Sequence, residues 1–265
     1  MLSRRSILSP FLKFPDEAAI IGRLFAGYTT LEVGLMSCVQ VVRDDFDAIL
    51  KAMFRVRGET ARIDIADALG RQFYEDRGLG TEFAMAIGAV RYCLKIRNQY
   101  AHCVWYDDRS GNLAFVNVEE IVRDNARLVG LQSLTVLEVD VPILQAQEEY
   151  FVYADDLLTW TDFEGRLRDG RMGQIKTNPQ MKPNQIGQPA LHIPVGDDER
   201  RRALTLLADN PDGCTRTIML TRGFSLALLN QLFRSGLATI EREERGDDMI
   251  ESVLKITEAG RQVLE

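Results

Sequence analysis

The chain has 265 residues, of which 46% are hydrophobic and 27% charged, with a formal net charge of −7 and a pI of about 5.1. That composition can bury a core and excludes global disorder. It also excludes a protein that coats nucleic acid through a uniformly basic surface, because phosphate contacts dominate that kind of affinity. Any nucleic-acid contact must therefore be local. The four cysteines (Cys38, Cys93, Cys103, Cys214) form no C-x-x-C pair, and His102 and His192 are the only histidines. No metal set and no cofactor motif is expected from them. Buried reduced thiols fit a cytoplasmic compartment. Ser3-Arg4-Arg5-Ser6-Ile7-Leu8 looks like a twin-arginine export signal, but Pro10, Lys13, Pro15, Asp16 and Glu17 interrupt the apolar run it needs. No stretch approaches the roughly 20 uninterrupted apolar residues of a membrane span, so no membrane partner is expected.

In chain order, Pro15-Asp16-Glu17 opens a long helix to about Asp44. Proline and acids suit its first turn, and Ile20, Leu24, Leu31, Leu35 and Val39 recur at helical spacing. Gly22 and Ala26 on it form a small-x-x-x-small pair that predicts close helix approach. Further helices are expected over 45–57, 59–74 and from an N-cap at Thr81, the last carrying Phe83, Ile87, Val90 and Leu94 on one stripe. The pattern is that of an antiparallel bundle. Val104-Trp105-Tyr106 and Leu113-Ala114-Phe115-Val116 flank a turn-rich centre and predict a hairpin. Helix is expected again over 118–128 and 142–167. The stretch 171–195, with Pro179, Pro183, Pro189 and Pro194, reads as a linker.

Residues 196–265 read as a second domain: a helix over 198–208, a turn at 209–213, a short helix over 215–220, and a helix from Ser225 to Ser235 stopped by Gly236. Two strands follow around a charged loop, and a last helix starts near Thr257. This order is that of a winged helix. Leu229, Leu232, Gly236 and Leu237, with Ile256-Thr257-Glu258-Ala259-Gly260-Arg261, resemble the third helix and post-wing segment of the MarR-like group. The expected fold is thus mainly α: a helical bundle with a small β-hairpin (1–170), a linker (171–195) and a winged-helix-like α+β domain (196–265).

The residues that carry chemistry lie in Arg97-Asn98-Gln99-Tyr100-Ala101-His102, at the end of the fourth bundle helix. Metal-free RNA cleavage needs a group that moves protons near neutral pH, as histidine can, and a fixed cation for the charge developing on phosphate, as arginine supplies. Asn98 can hydrogen-bond the phosphate or hold the histidine tautomer. At ~100° per residue, Asn98 and His102 lie ~40° apart on a helix, whereas Arg97 and His102 lie ~140° apart and do not easily reach one phosphate from one chain. Glu32, set between Leu31 and Leu35, is a carboxylate able to orient Arg97 or His102; an ordinary ion pair is the other reading. The bland alternative for Arg97 and His102 is a surface ion pair and a helix-terminal histidine.

The motif R-N-x-x-x-H, with the following Trp105 and the long first helix carrying Glu32, resembles the HEPN family over roughly residues 16–110. The resemblance implies a metal-independent endoribonuclease acting as a homodimer, with Arg97, Asn98, His102 and Glu32 at its site. It further implies RNA as substrate, a role in toxin–antitoxin or antiviral systems, and a protein partner such as an antitoxin. The second reading is a non-enzymatic winged-helix regulator or adaptor whose bundle only dimerises or binds RNA or protein. On the helix Ser225–Ser235, Ala227, Asn230, Gln231 and Arg234 share a face, and Asn230, Gln231 and Arg234 are residue types that read bases. Over residues 195–265 ten basic residues face thirteen acids, a net of 10 − 13 = −3, with the acids dense at 241–251. That charge disfavours DNA.

Overall fold

The computed structural model describes residues 9–107, 111–117, 136–171, 181–193, 196–244 and 250–264. The expected export-like segment 3–8, the helix expected over 118–128, and the tip of the charged loop lie outside the described residues. The chain is mainly helical with two small antiparallel sheets. It divides into two compact units, one built from 15–101 and 141–191, the other from 1–14, 102–140 and 192–265.

The first unit is a bundle. After the short α1 (Ser9–Lys13), which belongs to the other unit, come α2 (Pro15–Arg43), α3 (Phe46–Phe54), α4 (Glu59–Asp76), α5 (Gly80–Ala101) and α6 (Val141–Arg168). The expected first helix thus ends at Arg43. The next one stops at Phe54, short of Arg57, and is capped by Asp45, whose carboxylate accepts from the Ala48 amide at 3.0 Å. Helix α5 begins at Gly80, one residue before the Thr81 cap expected from sequence. Helix α2 is the hub: Leu24, Leu31, Leu35 and Val39 are buried, and it packs against α3, α4, α5 and most extensively α6. It is long and apolar enough to cross a membrane by length and composition, although Arg23 and Glu32 interrupt its apolar run.

The close approach of helices falls elsewhere than the Gly22/Ala26 pair suggests. A Cβ on Gly22 would meet nothing within 4 Å, whereas one on Gly34 would sit 3.1 Å from Leu158 Cδ1 of α6. Gly22 lies on the solvent side of the stripe and Gly34 faces α6. Deeper in the bundle, Tyr74 of α4 is fully buried, stacks on Phe83 of α5 at 4.4 Å between centroids, and donates its hydroxyl to the Cys38 carbonyl at 3.0 Å. Gly70 and Gly165 leave room for that stack: a Cβ on either would lie 2.6 Å and 2.8 Å from the Phe83 and Tyr74 rings respectively.

The stretch expected as a free linker is in part a strap on this bundle. Residues 181–191 have no regular secondary structure, so their carbonyls are open to side-chain donors. Tyr92 Oη donates to Pro189 O at 2.6 Å and Gln147 Nε2 to Ala190 O at 2.8 Å, while Lys182 pairs with Glu82 at 2.9 Å.

The second unit holds both sheets. β1 (Cys103–Tyr106), β2 (Leu113–Asn117) and β3 (Leu137–Val139) form one antiparallel sheet, with Val104 opposite Val116 and Leu113 opposite Val139. Trp105 lies between Phe11 and Phe115, with centroids at 5.4 Å and 5.1 Å. Next come α7 (Asp197–Ala208), β4 (Cys214–Thr215), α8 (Arg216–Thr221), α9 (Leu226–Arg234), β5 (Ala238–Glu244), β6 (Ile250–Ile256) and α10 (Glu258–Gln262), the strands paired in the order β4-β6-β5. Thr215, Ser225 and Thr257 cap α8, α9 and α10 through their hydroxyls. β3 and β4 are not anticipated from sequence; at three and two residues they are too short to show alternation.

The division of the chain also differs from the expected boundaries. Ala114 and Val116 of β2 and Val136 before β3 join one apolar cluster with Leu204, Leu207, Met219, Leu228 and Leu232. The hairpin therefore shares a core with the C-terminal helices, and burial of its apolar face there accounts for its grouping.

Candidate functional site

Helix α5 presents Arg97 and Asn98 in its last turn. Its buried positions Phe83, Ile87, Val90 and Leu94 set the rotation of that turn, and Ile96 and Tyr100 continue the buried side. The end of the helix is fastened on one side, where Tyr100 Oη donates to Gln147 Oε1 at 2.8 Å and Gln99 Nε2 to Leu191 O at 2.5 Å. Arg97, on the other side, keeps its side chain 27% exposed, 3.5 Å from Glu59 and with its guanidinium 5.8 Å from the Phe25 ring centroid. It also donates to Asn98 Oδ1 at 2.9 Å. The Asn98 amide nitrogen is thus directed away from Arg97, and Asn98 holds the guanidinium in place.

Glu32 and its surroundings complete a polar cluster from three helices. Glu32 of α2 is 6% exposed and accepts from Arg62 of α4 at 2.7 Å. Its partner is therefore Arg62, and of its two readings the ion pair is the one the structure displays. Glu59 and Arg62 sit three residues apart in the first turn of α4, bordering the buried stripe Ile63, Ala66, Gly70 and Tyr74. Glu59 thereby also meets the positive end of the α4 dipole. Tyr28, one turn before Glu32, is 3% exposed, and neither its hydroxyl nor Arg62 Nε has a hydrogen-bond partner. Burial, followed by the charges of Glu32 and Glu59, pushes the Tyr28 phenol well above its ordinary range; Arg97 and Arg62 oppose this. Two carboxylates, two guanidiniums and a neutral phenol thus converge, with Arg97 at the rim.

Sequence reasoning alone does not single out Arg62, Glu59 and Tyr28 as site residues. The available signal was the pair Glu59/Arg62 at i, i+3 beside an apolar stripe, which places both on the covered edge of α4.

His102 is exposed in the turn after Ala101. The ~40° and ~140° separations assume a helix through residue 102. Since α5 ends at Ala101, they do not govern His102.

The base-reading face expected on α9 is divided. Gln231 and Arg234 are exposed, but Asn230 is 7% exposed and lines a small space with Leu226, Leu229, Ile240 and Leu254. The β5/β6 side of the unit covers it, so Asn230 is not presented to a DNA groove. Among the described residues no group of three or more His, Cys, Asp or Glu side chains could hold a metal ion. Cys38, Cys93 and Cys214 are buried free thiols and Cys103 is half-buried; burial raises the Cys38 and Cys93 thiols well above their ordinary range. Comparison with protein-family profiles, with characterised proteins and with solved structures finds no match.

Proposed function

We propose that the chain is a metal-independent endoribonuclease of HEPN type, acting as a homodimer in the cytoplasm. The observation that carries this reading is the R-N-x-x-x-H motif at the exit of a long bundle helix, where Arg97 stays partly exposed at the rim of the Glu32/Arg62/Tyr28 cluster and Asn98 orients its guanidinium. An arginine loosely paired at 3.5 Å can exchange its carboxylate for a phosphate oxygen. His102, exposed in the turn that follows, would exchange protons with a bound ribose or leaving oxygen. Glu32 acts through Arg62, fixing the α2/α4 wall of the cluster, and is a positioning residue. Two chains meeting at this helix end would pool their Arg97 and His102 side chains in one cleft.

The C-terminal segment, in its order α7-β4-α8-α9-β5-β6, is read as a winged helix. With Asn230 covered and acids dense in its sequence at 241–251, it serves protein contact or assembly, including contact with an antitoxin, ahead of DNA binding. The second reading, a non-enzymatic regulator or adaptor, is favoured by one observation: Arg97 already has a carboxylate partner in Glu59.

Incubation with mixed RNA in EDTA tests the proposal. Cleavage should persist, leave 2′,3′-cyclic phosphate ends, and fall by roughly 10²–10⁴ in His102→Ala, as for loss of a general acid–base. Absence of cleavage, or cleavage that stops with chelator, contradicts it.

A further inference from the structure

We propose that a groove on the C-terminal segment of the chain binds a phosphate group, independently of the Arg97–His102 motif. The groove has a volume of about 820 Å³ and is lined by Arg201 and Arg202 of α7, Arg222 at the end of α8, Leu206, Asp209 and Phe224. That size is in the range of small-ligand sites and suits a nucleotide.

Charge is the first argument. Among the described lining residues, three guanidiniums and one carboxylate give a net charge of 3 − 1 = +2, within a segment (195–265) whose net charge is −3. Among the described residues none of the three guanidiniums lies within 4.0 Å of a carboxylate. The bundle arginines Arg62, Arg71, Arg91 and Arg166 behave otherwise, each paired at 3.0 Å or less.

Preorganisation is the second argument. The Arg202 guanidinium lies 5.7 Å from the ring centroid of buried Phe224. Arg201 donates to the Leu264 carbonyl at 3.1 Å, which fixes its head group while leaving further donors. Arg222 is the C-terminal cap of α8, with Gly223 at φ +89° turning the chain so that Phe224 floors the groove. The Arg201 and Arg202 guanidiniums, so held, match phosphate oxygens bidentately and lose less freedom on binding than free side chains would. The apolar floor of Phe224 and Leu206 suits a phosphate carried on an organic body.

A phosphate can come from a free nucleotide or from an RNA backbone, and titration calorimetry on the full chain separates them. The probes are inorganic phosphate, adenosine monophosphate and a short 2′-O-methylated RNA, which the proposed cleavage cannot consume. Binding of the mononucleotide, displaced by inorganic phosphate, identifies a nucleotide site. Binding of the RNA alone identifies a backbone site. In either case Arg202→Gln/Arg222→Gln should weaken binding at least ~10-fold, whereas the exposed pair Arg55→Gln/Arg57→Gln should not. Should the glutamine pair fail to fold, Arg202→Lys/Arg222→Lys decides: the charge stays but the fork is lost, and binding should still weaken. No binding of any probe at physiological salt, or equal binding by wild type and the groove variants, overturns the proposal.

Discussion

At the scale of single residues, the Glu32–Arg62 pair is the most consequential contact in the candidate site. Its carboxylate side chain is 8% exposed and its guanidinium 21%. Removing one partner from such a pair leaves a charge with little water to replace it. Glu32→Ala should therefore cost about 3 kcal/mol in urea unfolding, the lower end for a broken buried pair because Arg62 keeps some solvent. Adding Arg62→Met should restore much of that loss. A single-variant cost below ~1 kcal/mol would show that the pair behaves like a surface one. A second ion pair makes a pH prediction. Hydrogen bonding to Arg77, reinforced by its charge and that of Arg171, holds the Asp169 carboxyl below the usual aspartate range, and burial opposes this. A depressed folded pKa means stability that is complete above the unfolded value near ~3.9 and is lost as pH falls through the folded one. The stability gap between wild type and Asp169→Asn should be constant above about pH 5 and shrink below about pH 4. A gap unchanged down into strong acid would contradict the assigned pairing.

At the scale of elements, glycine placement decides how closely the helices pack. A Cβ at Gly165 would lie 2.8 Å from Tyr74 Cε1, and the Tyr74 ring is held by its stack on Phe83 and its bond to Cys38 O. Gly165→Ala should destabilise by about 1–3 kcal/mol through overpacking. Gly22→Ala, with open space at that position on an exposed helix face, should stabilise by about 0.5–1 kcal/mol. Thermal or urea unfolding reads both, and a destabilised Gly22→Ala would mean that its face is covered. The same elements show what sequence could reveal. The long helices α2, α4, α5 and α6 were legible because each carries an apolar stripe at helical spacing over several turns. The caps at Asp45 and Ser225 mark helix starts by residue type alone. The small pair Gly22/Ala26 misled because spacing does not say which side of the stripe faces a neighbour; α6 meets Gly34.

For the whole molecule, the illegible parts are those made by distant segments. That β2 shares its core with α7 and α9 depends on contacts between residues near 115 and residues near 204–232, which local periodicity does not encode. The strap is of the same kind: its composition marks it as irregular, but the donors that fasten it, Tyr92 and Gln147, come from two different helices. The candidate site was half legible. Arg97, Asn98 and His102 lie within six residues and read as one motif; Arg62 joins Glu32 across 30 residues, which no local motif encodes. Helical spacing puts Asn230 on an outward face, whereas the β5/β6 side covers it.

The central claim is that Arg97 and His102 cut RNA together in a dimer. Its most direct test is the cleavage rate of one defined RNA in chelator by Arg97→Ala, by His102→Ala, and by an equimolar mixture refolded together, after each variant is shown to fold. Each alone should be slower than wild type by roughly 10²–10⁴. The mixture should regain activity, since a heterodimer holds one Arg97 and one His102. Both variants cutting RNA at the wild-type rate would contradict the account.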